Sequence, residues 1–322
     1  MAVGGEGGNR AVIAAFVGNS VVAVIKFIAF LLTRSSAMLA ESIHSVADAG
    51  NQALLLLGGR QARKAADEEH QFGYGRERYF WSFVVALVLF VLGSAFALYH
   101  GIEKVLHPHE VDNFGVALVV LGLGIVIEAF SFRTAIVESI PLKGDLSWWQ
   151  FIRRARVPEL PVVLLEDLGA QLGLVFAFVA VVLGQVTGNW VWDGIGSLAI
   201  GVLLGVIAII LIIEMRSLLI GEGARPADMA KITRAIGTSP SVVKIIHLRT
   251  QHLGPEELLV GAKLAFDPAL DLAGLAEAVD GVERAIRAEV PYARPMYIEP
   301  DLLRTEEQIR AVESLPPRSE LR

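Results

Sequence analysis

Six apolar runs recur along the first two-thirds of the chain, at about 11–33, 37–59, 79–103, 113–137, 160–184 and 191–214. Each is close to the roughly 20 residues that a helix needs to cross a bilayer core, so the pattern predicts six transmembrane helices. The linkers alternate in basic content. Arg60, Arg63, Lys64, Arg76 and Arg78 follow the second run, and Lys143, Arg153, Arg154 and Arg156 follow the fourth. The other connections hold only Arg34, Lys104 or no basic residue. Lys and Arg accumulate on the cytoplasmic side, which puts both termini in the cytoplasm. The opening MAVGGEGGNR has no basic flank and no small-residue cleavage signal, and the first run is read as a retained helix.

Beyond Glu214 and Arg216 the pattern changes. PADMAKITRAIG has helical spacing, VVKIIHLRT and ELLVGAKLAF read as strands, AGLAEAVDGVERAIRAEV as a helix and RPMYIE as a strand. An αββαβ order predicts a small two-layer α+β domain. The expected organisation is a transmembrane domain over 1–215, a soluble domain over 216–304 and a charged, proline-bearing tail over 305–322. In the 139–159 linker, Trp148, Trp149 and Phe151 lie beside Arg153, Arg154 and Arg156, a mixture suited to a short stretch at the membrane interface.

Composition strengthens the membrane reading: 54% of residues are hydrophobic, 19% are charged and the mean hydropathy is +0.55. A formal net charge of −6 argues against nucleic acid as a partner, because phosphate neutralisation needs concentrated Lys and Arg. Cysteine is absent, so a bound metal would be held by imidazole, carboxylate, amide or water. There is no His-Glu-x-x-His pair, Gly-x-Ser-x-Gly elbow or Gly-rich phosphate loop. The chain is therefore read as a non-enzyme with no catalytic cofactor.

Ionisable residues inside a membrane are costly and mark pathways or binding sites. The second run carries Glu41, His44, Asp48, Asn51 and Gln52; the fourth carries Glu128; the fifth carries Glu166, Asp167 and Gln171. Lys26 and Asp193 complete the set, Lys26 snorkelling or pairing with a carboxylate and Asp193 capping or pairing near the start of the sixth helix. Four-residue spacing puts His44 and Asp48 on one helical face, as two ligands of one cation require. A D-x-G-x-Q pattern occurs twice, matching Asp48 to Asp167 and Gln52 to Gln171. Such internal similarity points to elements meeting at a central site. If the helices meet, His44, Asp48 and Asp167 offer one imidazole and two carboxylates, a set that suits Zn²⁺ and tolerates Mn²⁺, Fe²⁺ or Co²⁺. A fourth ligand is missing from this set. The competing expectation is that these charges pair with one another or with Lys26 and serve only to hold helices together.

AESIHSVADAGNQ in the second run, the loop DEEHQFGYGRERYF, WDGIGSLAIG at the start of the sixth run, and the later HLRTQHLG and MYIEP together resemble the cation diffusion facilitator family, and in particular its branch that includes the mitochondrial zinc exporter. The resemblance runs from the first helix to Pro300. It implies a six-helix membrane bundle, a cytoplasmic ferredoxin-like domain, a homodimer, and exchange of cytoplasmic metal for protons. The family's site pairs two ligands on helix 2 with two on helix 5. His44, Asp48 and Asp167 match, and the remaining position is Val163. Glu166, Glu128 and Gln171 are the candidates for fourth ligand or proton carrier, and Glu41, Asn51 and Gln52 for groups that orient the ligands. In the family's loop site Asp67 and His70 match, with Tyr74 where a second histidine is common. In the C-terminal domain Lys263 and Tyr297 replace regulatory histidines, Glu299 remains, and His247 and His252 fall out of register, which implies dimerisation with little or no regulatory metal.

Metal ligands must be deprotonated to bind, so a cation loaded onto His44, Asp48 and Asp167 is released as protons compete for the same groups. Two alternatives remain at this stage: a proton-coupled transporter of Mn²⁺, Fe²⁺, Co²⁺ or another small cation, and a membrane-anchored metal-binding or sensor protein without transport. His100, His107 and His109 are expected to be solvated loop residues. The expected location is a bacterial plasma (inner) membrane.

Overall fold

A computed structural model describes residues 3–33, 36–108 and 114–303, and excludes the side chains of 3–11, 14, 26, 29, 30, 32, 33 and 36–44. The tail and His109 therefore lie outside the described residues, as do the side chains of Lys26, Glu41 and His44. The chain divides into a helical unit that ends at Ile220 and a second unit built from Gly221–Leu253 and from Glu257 onward.

The helical unit contains α1 (Val3–Thr33), α2 (Ser36–Gln61), α3 (Glu77–Val88), a π-helical segment (Leu89–Ala95) leading into α4 (Phe96–Leu106), α5 (Phe114–Lys143), the short α6 (Trp148–Arg154), α7 (Glu159–Thr187) and α8 (Val191–Ile220). With α3, the π segment and α4 counted as one rod, these make six long helices of 26 to 31 residues. At about 1.5 Å per residue each exceeds the roughly 30 Å hydrocarbon core. Among the described residues four of them are long and apolar enough to cross a membrane: Glu77–Leu106, α5, α7 and α8. The protein is an integral membrane protein, and residues such as Val119, Val126 and Phe130 of α5 are exposed for lipid contact.

The helices outrun the apolar runs that predict them, because hydropathy marks only the stretch in hydrocarbon while the backbone continues into the headgroup zone. α5 passes its predicted end at 137 and reaches Lys143 with Pro141 inside it. α8 passes 214 and reaches Ile220, its Glu214 being satisfied by Arg153 at 3.1 Å. In the 139–159 linker, α6 opens with a capping box: Gln150 N donates to Ser147 Oγ at 3.2 Å and Ser147 N to Gln150 Oε1 at 3.1 Å. Lys143 and Arg153 lie over the rings of Trp148 and Trp149.

α8 runs alongside the π segment and α4 through small residues. A Cβ at Gly201 would come 2.9 Å from the backbone N of Leu98, and one at Gly194 2.7 Å from that of Val105. Ser94, within the π segment, donates to the carbonyl of Gly201 at 2.8 Å. A π turn inserts one extra residue into a helix; no hydropathy pattern marks it, since LFVLGSA stays apolar in either register.

The second unit runs α9 (Pro226–Gly237), β1 (Val242–Gly254), β2 (Glu257–Phe266), α10 (Leu272–Glu289) and β3 (Ala293–Asp301), the predicted αββαβ order. Its sheet has the order β1-β2-β3, and β2 pairs parallel with β3 in the register Val260↔Met296 to Ala265↔Asp301. A parallel pair needs a crossover, which α10 supplies. Ile232 and Ile236 of α9 and Val282 and Ile286 of α10 cover Leu258, Val260 and Leu264 of β2, making one core.

Candidate functional site

The helices of the bundle are largely apolar, and polar residues from four of them, α1, α2, α5 and α7, gather in one region. α7 contributes Glu166 and Asp167, both buried. Asn51 Nδ2 donates to Glu166 Oε1 at 2.6 Å and Gln52 Nε2 to Glu166 Oε2 at 3.0 Å, joining α2 to α7. Asn19 Nδ2 of α1 donates to Gln52 Oε1 at 3.3 Å, extending the lattice to a third helix. On α5, Ser131 Oγ donates to Asp167 Oδ2 at 2.9 Å. Inside a bilayer such groups must find partners within the protein, and Glu166 has two.

Two cavities meet these carboxylates. One, of about 260 Å³, is lined by Asn19, Ser45, Asp48, Glu128 and Glu166 and by apolar residues of the π segment, α4, α7 and α8. The other, of about 230 Å³, is lined by Asn19, Glu128, Ser131, Thr134, Val163 and Asp167, among others. Asn19 and Glu128 border both. No Lys or Arg is among the described residues lining either one.

The predicted residues are thus placed unequally. Asp48, Glu166 and Glu128 share a cavity, whereas Asp167 faces the neighbouring one and is held by Ser131. Asn51 and Gln52 orient Glu166. Gln171 lines neither of these cavities, and its Oε1 is buried without a hydrogen-bond partner. Val163, at the position lacking a ligand, is buried against the second cavity. The side chains of Glu41 and His44 are outside the described residues. Among the described residues no three His, Asp or Glu groups converge as a metal cage. Asn19 and Ser131 were not expected from the sequence. A lone asparagine in the apolar run of α1 is a readable signal, but Ser131 has none, because serine is common in membrane helices.

Outside the bundle core, Asp193 pairs with Lys104 at 2.7 Å and His100 Nδ1 lies 3.2 Å from Glu103. In the 60–78 loop, Asp67 Oδ1 accepts from the backbone N of Glu69 and His70, and Tyr74 donates to Asp67 Oδ2 at 2.5 Å. The Tyr74 hydroxyl holds the Asp67 carboxyl below its usual range, and the same bond pushes the phenol up to about 12. A lowered carboxyl pKa contributes to loop closure above the ordinary carboxylate value, and the contribution disappears as pH falls through the lowered value. Tyr74→Phe should therefore return the Asp67 carboxyl toward its ordinary range and advance acid opening of the loop to higher pH. Hydrogen exchange at the Glu69 and His70 amides against pH checks this, and an unshifted profile contradicts it.

In the second unit the Lys263 ammonium lies 2.7 Å from Glu299 and 3.1 Å from Asp301. These bonds raise the lysine's pKa and keep a fixed positive charge beside the carboxylates. His252 is buried and stacked on Tyr292, while His247 is exposed.

Long membrane helices gathered around buried carboxylates, with a small α+β unit after them in the chain, define the class as an integral membrane protein with a polar site inside its helical unit. The chain belongs to the cation efflux, or cation diffusion facilitator, family: residues 12–220 match the cation efflux transmembrane domain. It is 34% identical over 265 residues to the proton-coupled zinc antiporter SLC30A9, mitochondrial, of Xenopus laevis, covering 81% of this chain and 47% of that protein. It is 33% identical over 261 residues to metal tolerance protein C4 of Arabidopsis thaliana, covering 80% and 57%. The magnetosome protein MamB of Paramagnetospirillum magneticum is 24% identical over 283 residues, covering 87% of this chain and 89% of that one. The chain spans about half the length of the first two relatives. Within the family it resembles the branch of the mitochondrial zinc transporters.

Proposed function

We propose that this protein exports a divalent transition-metal cation, zinc, in exchange for protons, by alternating access. The observation that carries the reading is the set of carboxylates Asp48, Glu128, Glu166 and Asp167 around two adjoining cavities with no Lys or Arg among the described lining residues. Such a cluster attracts a cation or protons, and the two compete for the same groups. The name of the Xenopus laevis relative, a proton-coupled zinc antiporter, supports both the cargo and the counter-ion.

In this reading His44 and Asp48 hold the cation from α2 and the α7 carboxylates hold it from the other side. Glu166 already shares a cavity with Asp48. Asp167 joins by releasing Ser131, and Glu128, bordering both cavities, carries the proton. The helical unit performs transport, and the second unit, with both termini, lies in the cytoplasm and joins two copies into a homodimer.

Proteoliposomes containing the full chain and an internal pH dye test the reading with Zn²⁺, Mn²⁺, Fe²⁺ and Co²⁺. Zinc-stimulated proton flux is expected. Stimulation by another of these metals alone would reassign the cargo, and proton flux indifferent to all four would overturn metal transport.

A further inference from the structure

The cavity shared by Asp48 and Glu166 lies on one side of the polar lattice. Along α7 its lining begins at Glu166 and continues through Gly169, Ala170, Gly173 and Leu174 to Ala177. In the other helices it takes in Leu89–Ala97 positions, Leu121 of α5, and Ile200 and Leu204 of α8. All of these point away from the end of the bundle where α7 begins and α8 finishes. On that other side Val162, Leu164 and Leu165 of α7 pack with Val85 and Ala86 of α3 and Leu211 of α8 in one core. The second cavity lies between α1, α5 and α7, outside the α3–α7 seam; it reaches Ala135 and Val163 and is flanked by the exposed Ile127 and Phe130 of α5.

Beneath that core, about 10 Å along α7 from Glu166 at 1.5 Å per residue, stands an ion pair that the site does not use. Arg78 of α3 donates through Nε to Glu159 Oε1 at 2.5 Å and through Nη2 to Oε2 at 2.8 Å. Glu159 is 1% exposed and Arg78 9%. Beside them the buried Tyr79 donates to the carbonyl of Arg156 at 3.4 Å. We propose that Arg78 and Glu159 are the closed gate of the α3–α7 seam at the basic-linker end of the bundle, on the side of Glu166 away from the cavity that it shares with Asp48. This rests on the transport reading.

Two-pronged Arg–carboxylate pairs are strong and directional when dry, yet both members are readily solvated once water enters. Separation of α3 from α7 would therefore exchange each bond for water, which a purely apolar seal could not do. A pair that serves only as a brace would be replaced without loss by an apolar pair of similar size, since such replacements are commonly neutral or stabilising. A gate would be locked by the same change.

The natural chain has no cysteine, so a Val162→Cys variant carries a single thiol above the pair, and its labelling by a membrane-impermeant maleimide can be read from the basic-linker side in oriented vesicles. In that background Arg78→Glu, which opposes two carboxylates, should speed labelling on the order of tenfold, and Arg78→Glu with Glu159→Arg should slow it again. Arg78→Met with Glu159→Met should stay monodisperse and poorly labelled while metal flux falls on the order of tenfold at unchanged metal affinity. Native flux in the double-Met protein would overturn the gate, as would unchanged labelling in a monodisperse Arg78→Glu protein. If Arg78→Glu does not fold, the double-Met protein decides. Absence of metal flux in the unaltered protein would sink the transport reading instead, and the labelling comparison would still judge the gate.

Discussion

Asp48→Ala should lower zinc-driven proton flux by on the order of 100-fold or more, beyond what is lost when only an orienting partner of a ligand is removed. Asp48 lies in a cavity with Glu128 and Glu166, so the substitution removes one of the carboxylates that draw the cation. Flux in proteoliposomes checks this, with thermal unfolding of the same preparation showing that the variant is folded. A variant that keeps native flux would remove Asp48 from the transport path, and with it the membrane-anchored sensor would regain standing over the transporter.

The second large effect is at Glu166, where function and stability should be lost together. Its two oxygens accept from Asn51 and Gln52, which are buried. Glu166→Leu would strand both donors, at a cost of about 1–3 kcal/mol for each buried group left unsatisfied. Glu166→Gln retains one acceptor and should lose less stability while still losing flux, because the charge that draws the cation is gone. Unfolding measured side by side for the two variants separates these contributions. Equal destabilisation would mean that the α2–α7 hydrogen bonds do not hold these helices together.

The contrast between Glu166 and Asp167 shows what the sequence could convey. The repeated D-x-G-x-Q pattern pairs Asp48 with Asp167, and helix periodicity brings α2 and α7 to the right depth. Consecutive residues on a helix point about 100° apart, so which of two adjacent carboxylates turns toward Asp48 depends on how α7 is rotated against its neighbours. Packing sets that rotation, and the same rotation leaves Gln171 away from both cavities. The runs that predict six helices are legible because twenty apolar residues have few other uses. Their ends are less so: Glu214 looks like a terminus until Arg153, 61 residues earlier, is seen to neutralise it. Arg78 enters the sequence reading only as a linker charge, and Glu159 is not singled out in it. Their pairing across 81 residues has no local signature. In the second unit, by contrast, alternation and helical spacing were enough to read the order of all five elements.

The seam between α8 and the rod of α3, the π segment and α4 has a mechanical consequence. With backbone atoms of Leu98 and Val105 lying where Gly201 and Gly194 have no side chain, and Ser94 bonded to the Gly201 carbonyl, these elements have no slack to slide or rock against each other. Any change of access must then be borne at other seams, such as that between α3 and α7. Spin labels on α4 and α8 should report one sharp distance at every pH and metal concentration, whereas pairs spanning α3 and α7 should show a distribution that broadens or splits as cargo and protons exchange.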